Sequence, residues 1–134
     1  MIKEAFTVLI LLVIQINLAA QYNLELEIIN IRNDTGVILV QLLDTNDQVI
    51  LGQATEIKNG NCIIIFENIL PAKYAIRYFH DENENDKLDT NLLGIPKEGY
   101  GMSNNPYSVF GPKKFKNWLF EVVQDTNMII KTKY

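Results

Sequence analysis

The sequence predicts an all-β fold, an antiparallel β-sandwich of about seven strands with one long structured loop. Three observations support this prediction. Apolar and polar residues alternate along several segments, turn-forming residues separate these segments roughly every eight to twelve residues, and no segment beyond residue 20 has a helical period. With 134 residues, the chain is long enough for one such domain.

The predicted strands are short segments bounded by turn residues. The first alternates Leu24, Leu26 and Ile28 with glutamates, which is the period of a strand with one buried face. The dipeptide Asn59-Gly60 is the strongest hairpin signal in the chain. The predicted strand ranges are 24–32, 37–43, 54–58, 62–66, 74–79, 114–123 and 128–134.

The first 20 residues are predicted to be a secretory signal peptide. Lys3 precedes an unbroken apolar run over residues 5–14, and Ala19-Ala20 supplies small residues before the predicted cleavage site. Leu18 departs from the small residue usual at its position, so a retained membrane anchor is the alternative, although the run is short for a bilayer span. We therefore expect a secreted or periplasmic protein, with a single domain over 21–134 and no membrane span after signal removal.

Negative charge is concentrated in one short segment. The net charge of the chain is −4, and the five acids and one lysine between Asp81 and Asp89 account for all of it. Such a cluster disfavours nucleic acids and anionic membrane surfaces as partners, and it favours a bound cation.

The spacing of oxygen-bearing side chains in this segment predicts a calcium site. Alternate residues of a tight loop turn their oxygens toward one centre, as in loops that bind calcium through side chains and one main-chain carbonyl. The predicted ligands are Asp81, Asn83, Asn85, the carbonyl of Lys87, and Asp89. Calcium is the expected cofactor, with the weak affinity of extracellular sites.

Two positions depart from the usual calcium loop. Asp86 stands where glycine is usual, and Leu92 stands where a bidentate acid is usual, so Glu98 would have to supply that acid. The alternative is a solvated acidic turn held by hydrogen bonds from Asx side chains.

The segment that follows, residues 92–112, has neither a helical nor a strand period and is rich in Gly, Pro, Asn and aromatic residues. Segments this long are uncommon in compact domains and are often functional. Its apolar content predicts an ordered loop with Leu93, Ile95 and Phe110 turned inward. The predicted ligand or partner surface consists of His80, Glu98, Tyr100, Asn104 and Asn105.

These motifs resemble the domain of unknown function 2141, an uncharacterised family of exported bacterial proteins. The resemblance rests on the run HDxNxNxKLDTNxLGIPxEGYGxSNN, which begins at His80, and on FGPxxF, which begins at Phe110. It covers nearly all of residues 21–134 and implies an immunoglobulin- or transthyretin-like sandwich with no established activity. The chain departs from the family pattern at Glu84, Asp86 and Ala72, where glycine is usual.

The predicted function is that of a non-catalytic binding or structural module, whose partner is an unknown protein or small molecule. The alternative is an enzyme with its active site in the loop over residues 80–112, with His80, Asp81 and Glu98 as acid–base groups. A catalytic base requires an open cleft and a partner within hydrogen-bond reach. The surroundings of His80 therefore distinguish a binding module from an enzyme.

Overall fold

The computed structural model describes residues 18–134 and confirms the predicted all-β fold. The strands are β1 (Tyr22–Ile29), β2 (Val37–Leu43), β3 (Val49–Thr55), β4 (Cys62–Ile69), β5 (Ala72–Asp81), β6 (Tyr100–Met102), β7 (Tyr107–Ser108), β8 (Gly111–Pro112), β9 (Phe120–Val122) and β10 (Thr126–Lys131). A 3-10 turn spans Phe115–Asn117. The predicted signal peptide falls almost wholly outside the described residues. Within 18–134, no helix has the length and apolar character that crossing a membrane requires.

The strands form two main sheets. The smaller sheet has the order β10-β1-β4, and the larger has the order β3-β2-β5-β6, with β9 also paired to β5. Strand β1 is antiparallel to β4 but parallel to β10, so the last strand lies beside the first. Strands β7 and β8 form a separate small hairpin within the long loop.

The core lies between the inner faces of the two sheets. Strand β1 contributes Leu24, Leu26 and Ile28, which are fully buried, while Glu25 between them is exposed. Strand β2 contributes every second residue from the opposite sheet, including Val40. Each fully buried side chain of this kind contributes about 1.5–3 kcal/mol through removal of apolar surface from water.

Some predicted strand boundaries are wrong. The third strand is Val49–Thr55 and not residues 54–58, because the Asp44 side chain accepts hydrogen bonds from two following N–H groups and ends β2 in a tight turn. The predicted strand over 114–123 is a strand only at Phe120–Val122. The Asn59-Gly60 turn is confirmed, with φ of 53° and 74°.

Gly36 brings the turn before β2 against the end of β5. Its φ is 71°, and a Cβ atom there would overlap the carbonyl oxygen of Asp81 and lie 2.8 Å from Cα of Glu82. Only glycine allows this approach of two main chains. The start of the acidic loop is thereby fixed to the sandwich.

Candidate functional site

His80 is fully buried at the end of β5, and both of its ring nitrogens have partners. Nε2 lies 2.6 Å from the carbonyl oxygen of Thr35, which can only accept, so Nε2 carries a proton. Nδ1 lies 2.8 Å from the hydroxyl of Tyr134, and that hydroxyl also accepts the Arg32 N–H at 3.0 Å. The imidazole therefore joins three segments at the base of the loop.

Asp81, which is also fully buried, shapes the acidic loop from its first position. Its two carboxylate oxygens accept the N–H groups of Asn85 at 3.1 Å and Asp86 at 2.8 Å. Glu84 and Asp86 have φ of 54° and 61°, the left-handed region that non-glycine residues rarely adopt. The Asp81 carboxylate thus holds a turn whose backbone would suit glycine better.

Glu98 connects the beginning and the end of the same loop. Its carboxylate is nearly buried and accepts the N–H of Glu82 through Oε1 and the N–H of Asp89 through Oε2, each at 3.0 Å. Sequence reasoning assigned Glu98 to a ligand surface and considered it as a cation ligand. In the structure both of its oxygens have main-chain partners.

Two other predicted calcium ligands, Asn83 and Asn85, bond to a third, Asp89. The amide of Asn83 donates to Asp89 at 2.6 Å, and the amide of Asn85 donates to both carboxylate oxygens, at 3.0 and 3.2 Å. These amides, first that of Asn85 and then that of Asn83, lower the pKa of Asp89. The Oδ1 atom of Asn85 accepts the Lys87 N–H, which is an Asx turn.

The donor set is suited to a hard cation, although the loop is also held by its own hydrogen bonds. Within residues 18–134, no three His, Cys, Asp or Glu side chains are grouped as a metal site. A cation at this loop would thus depend on amide and main-chain oxygens in addition to the carboxylates of Asp81 and Asp89. The two amides would have to turn their oxygens, in place of their nitrogens, toward Asp89.

An ion pair connects the loop to the segment that follows β1. Arg32 donates to both carboxylate oxygens of Glu82, at 2.6 and 2.9 Å, and its guanidinium stacks 4.5 Å from the ring centre of Tyr134. The hydrogen bond from Arg32 lowers the pKa of Glu82, and the same bond raises the pKa of Arg32.

A groove of about 830 Å³ lies between the outer face of the larger sheet and the long loop. Its floor includes Leu39 and Phe79, its opposite side includes Pro96 from the loop and Trp118 from the segment after the loop, and most of its lining is apolar. The lining is completed by Val40, Gln41, Gly52, Gln53, Ala54, Arg77, Tyr78, Asp86, Leu88, Gly94, Tyr100, Gly101, Met102 and Pro112.

Arg77 is the basic residue of this groove. Its Nε donates to Gln41 at 2.8 Å and its Nη1 donates to Asp47 at 3.2 Å. A guanidinium has five N–H donors, so further donors are available to a bound group.

The residues of the predicted surface have different roles. Tyr100 lines the groove. The Asn104 amide donates to the carbonyls of Asn117 and Leu119, at 3.1 and 3.0 Å. Asn105 accepts the Lys131 N–H at 2.8 Å and thereby fastens the loop to β10.

The predicted inward orientation of three loop residues is wrong. Leu93, Ile95 and Phe110 are 84%, 56% and 100% exposed. The loop instead buries Met102 and Ser103, and the Ser103 hydroxyl bonds to the carbonyl of Trp118 at 2.5 Å. Hydrogen bonds therefore hold this part of the loop, where an apolar core was expected.

Sequence reasoning also missed the groove itself. Its floor comes from the outward-facing residues of β2 and β5, such as Leu39 and Phe79. The sequence did contain a signal for a covered outer face, because β2 is apolar on both faces (VILVQLL). Strands of this kind are usually covered on both sides.

Comparison with known proteins gives one match. Neither curated proteins nor solved structures include a match to this chain. A protein-family model does match, over residues 26–131, from within β1 to the end of β10. The chain therefore belongs to the family described as "Uncharacterized protein conserved in bacteria (DUF2141)".

Proposed function

We propose that this protein is an exported, non-catalytic binding module that holds a mainly apolar small ligand in the groove beneath its long loop. The observation that carries the proposal is the groove of about 830 Å³ with its largely apolar lining. Small-molecule sites are typically concave, about 300–1,000 Å³ in volume, and apolar with a few polar groups. Export rests on the predicted signal peptide over residues 1–20.

The polar groups of the groove indicate the chemistry of the ligand. Arg77 has donors in addition to those used by Gln41 and Asp47, and its side chain is 41% exposed. An apolar body with one acidic or acceptor group would match this lining, because the acceptor can bond to the guanidinium while the body contacts Leu39 and Phe79.

The burial of the candidate acid–base groups supports binding over catalysis. His80 and Asp81 are fully buried, and Glu98 is 4% exposed. All three use their polar atoms to hold main-chain or tyrosine partners. A catalytic acid or base must reach the substrate, so these contacts favour a structural role.

We propose calcium as a weak stabiliser of the acidic loop. Asp81, Asn83, Asn85 and Asp89 would hold it through side-chain oxygens, with the Lys87 carbonyl at the main-chain position. The ion would supply positive charge to a segment in which acids outnumber bases by four. Its affinity is expected to be low, because both amides already donate to Asp89 and would have to turn.

The groove can be tested with 8-anilinonaphthalene-1-sulfonate, an apolar probe with one negative group. Trp118 lines the groove and is the single tryptophan of the chain, so its emission reports occupancy. Gly52→Leu would fill the groove from β3, where a Cβ atom meets nothing closer than 3.7 Å. Asn127→Leu, at an exposed position of β10, is the matched control.

We expect the wild type and Asn127→Leu to bind the probe with a change in Trp118 emission, and Gly52→Leu to bind at least about tenfold more weakly, which corresponds to ~1.4 kcal/mol. Thermal melting of each variant checks that it is folded. Equal binding by the two variants, or binding that leaves Trp118 emission unchanged, would contradict the proposal.

A further inference from the structure

Two tight turns of the long loop present large apolar side chains to solvent. The β7–β8 hairpin has Val109 and Phe110 as its two-residue tip, and their side chains are 95% and 100% exposed. The second turn is closed by a hydrogen bond of 3.0 Å from the Gly94 N–H to the Asn91 carbonyl, and its central residues are Leu92 and Leu93.

The hairpin tip at Val109 and Phe110 lacks the residues that such tips usually have. The second turn has the usual Asn91 at its first position and Gly94 at its fourth, but it exposes a leucine at both central positions. Tips of two-residue hairpins favour Asn, Gly and Asp, because these residues adopt the required backbone conformations and tolerate water. Leu92 and Leu93 are 106% and 84% exposed, so each turn displays two large apolar side chains with little contact to the protein. Groups of exposed apolar residues of this kind mark interaction sites.

The two turns are held firmly and flank the same groove. Oδ1 of Asn91 accepts the N–H groups of Leu93 and Ile95, at 2.9 and 3.0 Å. Gly94 from one turn and Pro112 from the other both line the groove. The turns that carry the four exposed apolar side chains therefore form two rims of one groove.

The segment that carries both turns has a positive net charge, although the chain as a whole is negative and Lys97 lies beside Glu82 and Asp89. Residues 90–118 contain four lysines and one acid. That acid is Glu98, which is nearly buried, whereas the lysines are exposed. The lysines are Lys97, Lys113, Lys114 and Lys116.

We infer that this face docks on the surface of an anionic lipid bilayer, with Val109-Phe110 and Leu92-Leu93 inserted among the acyl chains and the neighbouring lysines at the phosphate groups. Apolar insertion combined with basic residues at the headgroups is how peripheral proteins bind such surfaces. The inference goes beyond the proposed ligand function and does not depend on it.

The acidic loop opposes this docking, since exposed Asp86 lines the same groove. Calcium could also bridge these acids to phosphate groups, so the experiment is done with a chelator present. Every described strand begins at or after Tyr22, so a chain of residues 21–134 contains the whole described fold. This form also lacks the apolar run over residues 5–14, which would itself bind lipid.

The test is co-sedimentation with vesicles of phosphatidylcholine alone or mixed with phosphatidylglycerol. We expect the double variant Val109→Ser, Phe110→Ser to weaken binding to mixed vesicles roughly tenfold or more, because it removes apolar groups that the bilayer would bury. The double variant Lys113→Gln, Lys114→Gln should weaken binding to the mixed vesicles roughly fivefold per lysine. It should leave binding to vesicles of phosphatidylcholine alone unchanged. The control pair is Ile63→Ser with Ile65→Ser, exposed on the smaller sheet.

Binding that requires the hairpin tip and the lysines, and is unaffected by the control pair and by Gly52→Leu, would support the inference. Absence of wild-type binding, equal binding to both kinds of vesicle, or equal losses in the tip and control variants would overturn it. A wild-type dimer in analytical ultracentrifugation that the tip variant abolishes, without vesicle binding, would assign this face to a second copy instead.

Discussion

Three residues at the base of the long loop illustrate how buried polar groups replace an apolar core in this region. His80, Asp81 and Glu98 are nearly or fully buried, and each bonds to main-chain or tyrosine partners from a different segment. Buried polar groups contribute to stability only when they are paired, so each of the three is sensitive to truncation.

Glu98→Ala should lower the free energy of unfolding by about 1–3 kcal/mol, because it leaves the N–H groups of Glu82 and Asp89 without their acceptor. Glu98→Gln should have a smaller effect, since one amide oxygen remains. Urea denaturation measures both, with Glu67→Ala, exposed on β4, as the control. A Glu98→Ala variant as stable as this control would contradict the role assigned to Glu98.

The Arg32–Glu82 ion pair should make stability depend on pH in the acidic range. The hydrogen bond from Arg32 lowers the pKa of Glu82 below its ordinary value of 4.5. A carboxylate with a lowered pKa in the folded state stabilises the protein above the unfolded pKa, and this stabilisation is lost as the pH falls through the folded pKa.

The expected result is that Glu82→Gln is less stable than the wild type at neutral pH, and that the difference decreases below pH 4.5 and is lost as the pH falls through the lowered folded pKa of Glu82. Both side chains are partly exposed, so the effect is modest and decreases with salt. Thermal melting across this pH range measures it. A difference that is constant with pH would show that the ion pair is not its cause.

At the scale of elements, the acidic loop and the turn before β2 depend on each other. Gly36 permits close contact with the end of β5, and Asp81, at that end, forms the first turn of the loop. The β5 end therefore fixes both segments.

Gly36→Ala should destabilise the protein by about 2–4 kcal/mol, because the new Cβ atom overlaps the main chain of Asp81 and the backbone at residue 36 has a positive φ. Gly52→Ala is the matched control, since a Cβ atom there makes an ordinary contact at 3.7 Å. The Gly52→Ala variant should instead have a free energy of unfolding about 0.5 kcal/mol higher than that of the wild type. Equal effects in urea denaturation would exclude the proposed overlap.

Calcium should raise the Tm of the wild type by a few degrees, because a tenfold excess over Kd adds ~1.4 kcal/mol to stability. Asp89→Asn should abolish this increase, since Asp89 is a proposed ligand. Glu84→Gln removes the same charge from the same loop without removing a ligand, and it should retain the increase. An equal response in both variants would indicate screening of the acidic cluster in place of a specific site.

For the whole molecule, the sequence predicted the fold class better than the site. Strand β1 and the Asn59-Gly60 turn could be predicted because each depends on neighbouring residues alone. Strand β3 was missed because Val49, Ile50 and Leu51 are consecutive apolar residues without alternation, and at a sheet edge all three are partly exposed.

The groove and the exposed turns were not predictable for a different reason. Leu39 and Phe79 become neighbours only through the pairing of β2 with β5. Leu93 and Phe110 were expected inside because apolar residues usually are, yet tight turns hold both in solvent. Pairing between distant strands and turn geometry decide these positions, and neither can be read from one segment.

The mature chain should begin at Gln21. A short apolar run followed by small residues is processed as a signal peptide, and it lacks the length for a bilayer span. Intact-mass measurement of the protein recovered from an exporting bacterium checks this, and replacement of Ala20 by a large charged residue should prevent cleavage there. A mass equal to that of the full chain would contradict the prediction.

The direction of β1 has a practical consequence for attaching this protein to anything else. At about 3.3 Å per residue, the strand Tyr22–Ile29 is ~26 Å long, and it leads toward Arg32, which contacts the acidic loop. A tag or a sensor surface joined ahead of Tyr22 would therefore hold the molecule by the end remote from that loop. A fusion after Tyr134 would instead begin beside His80, and it would crowd the region that a binding assay needs free.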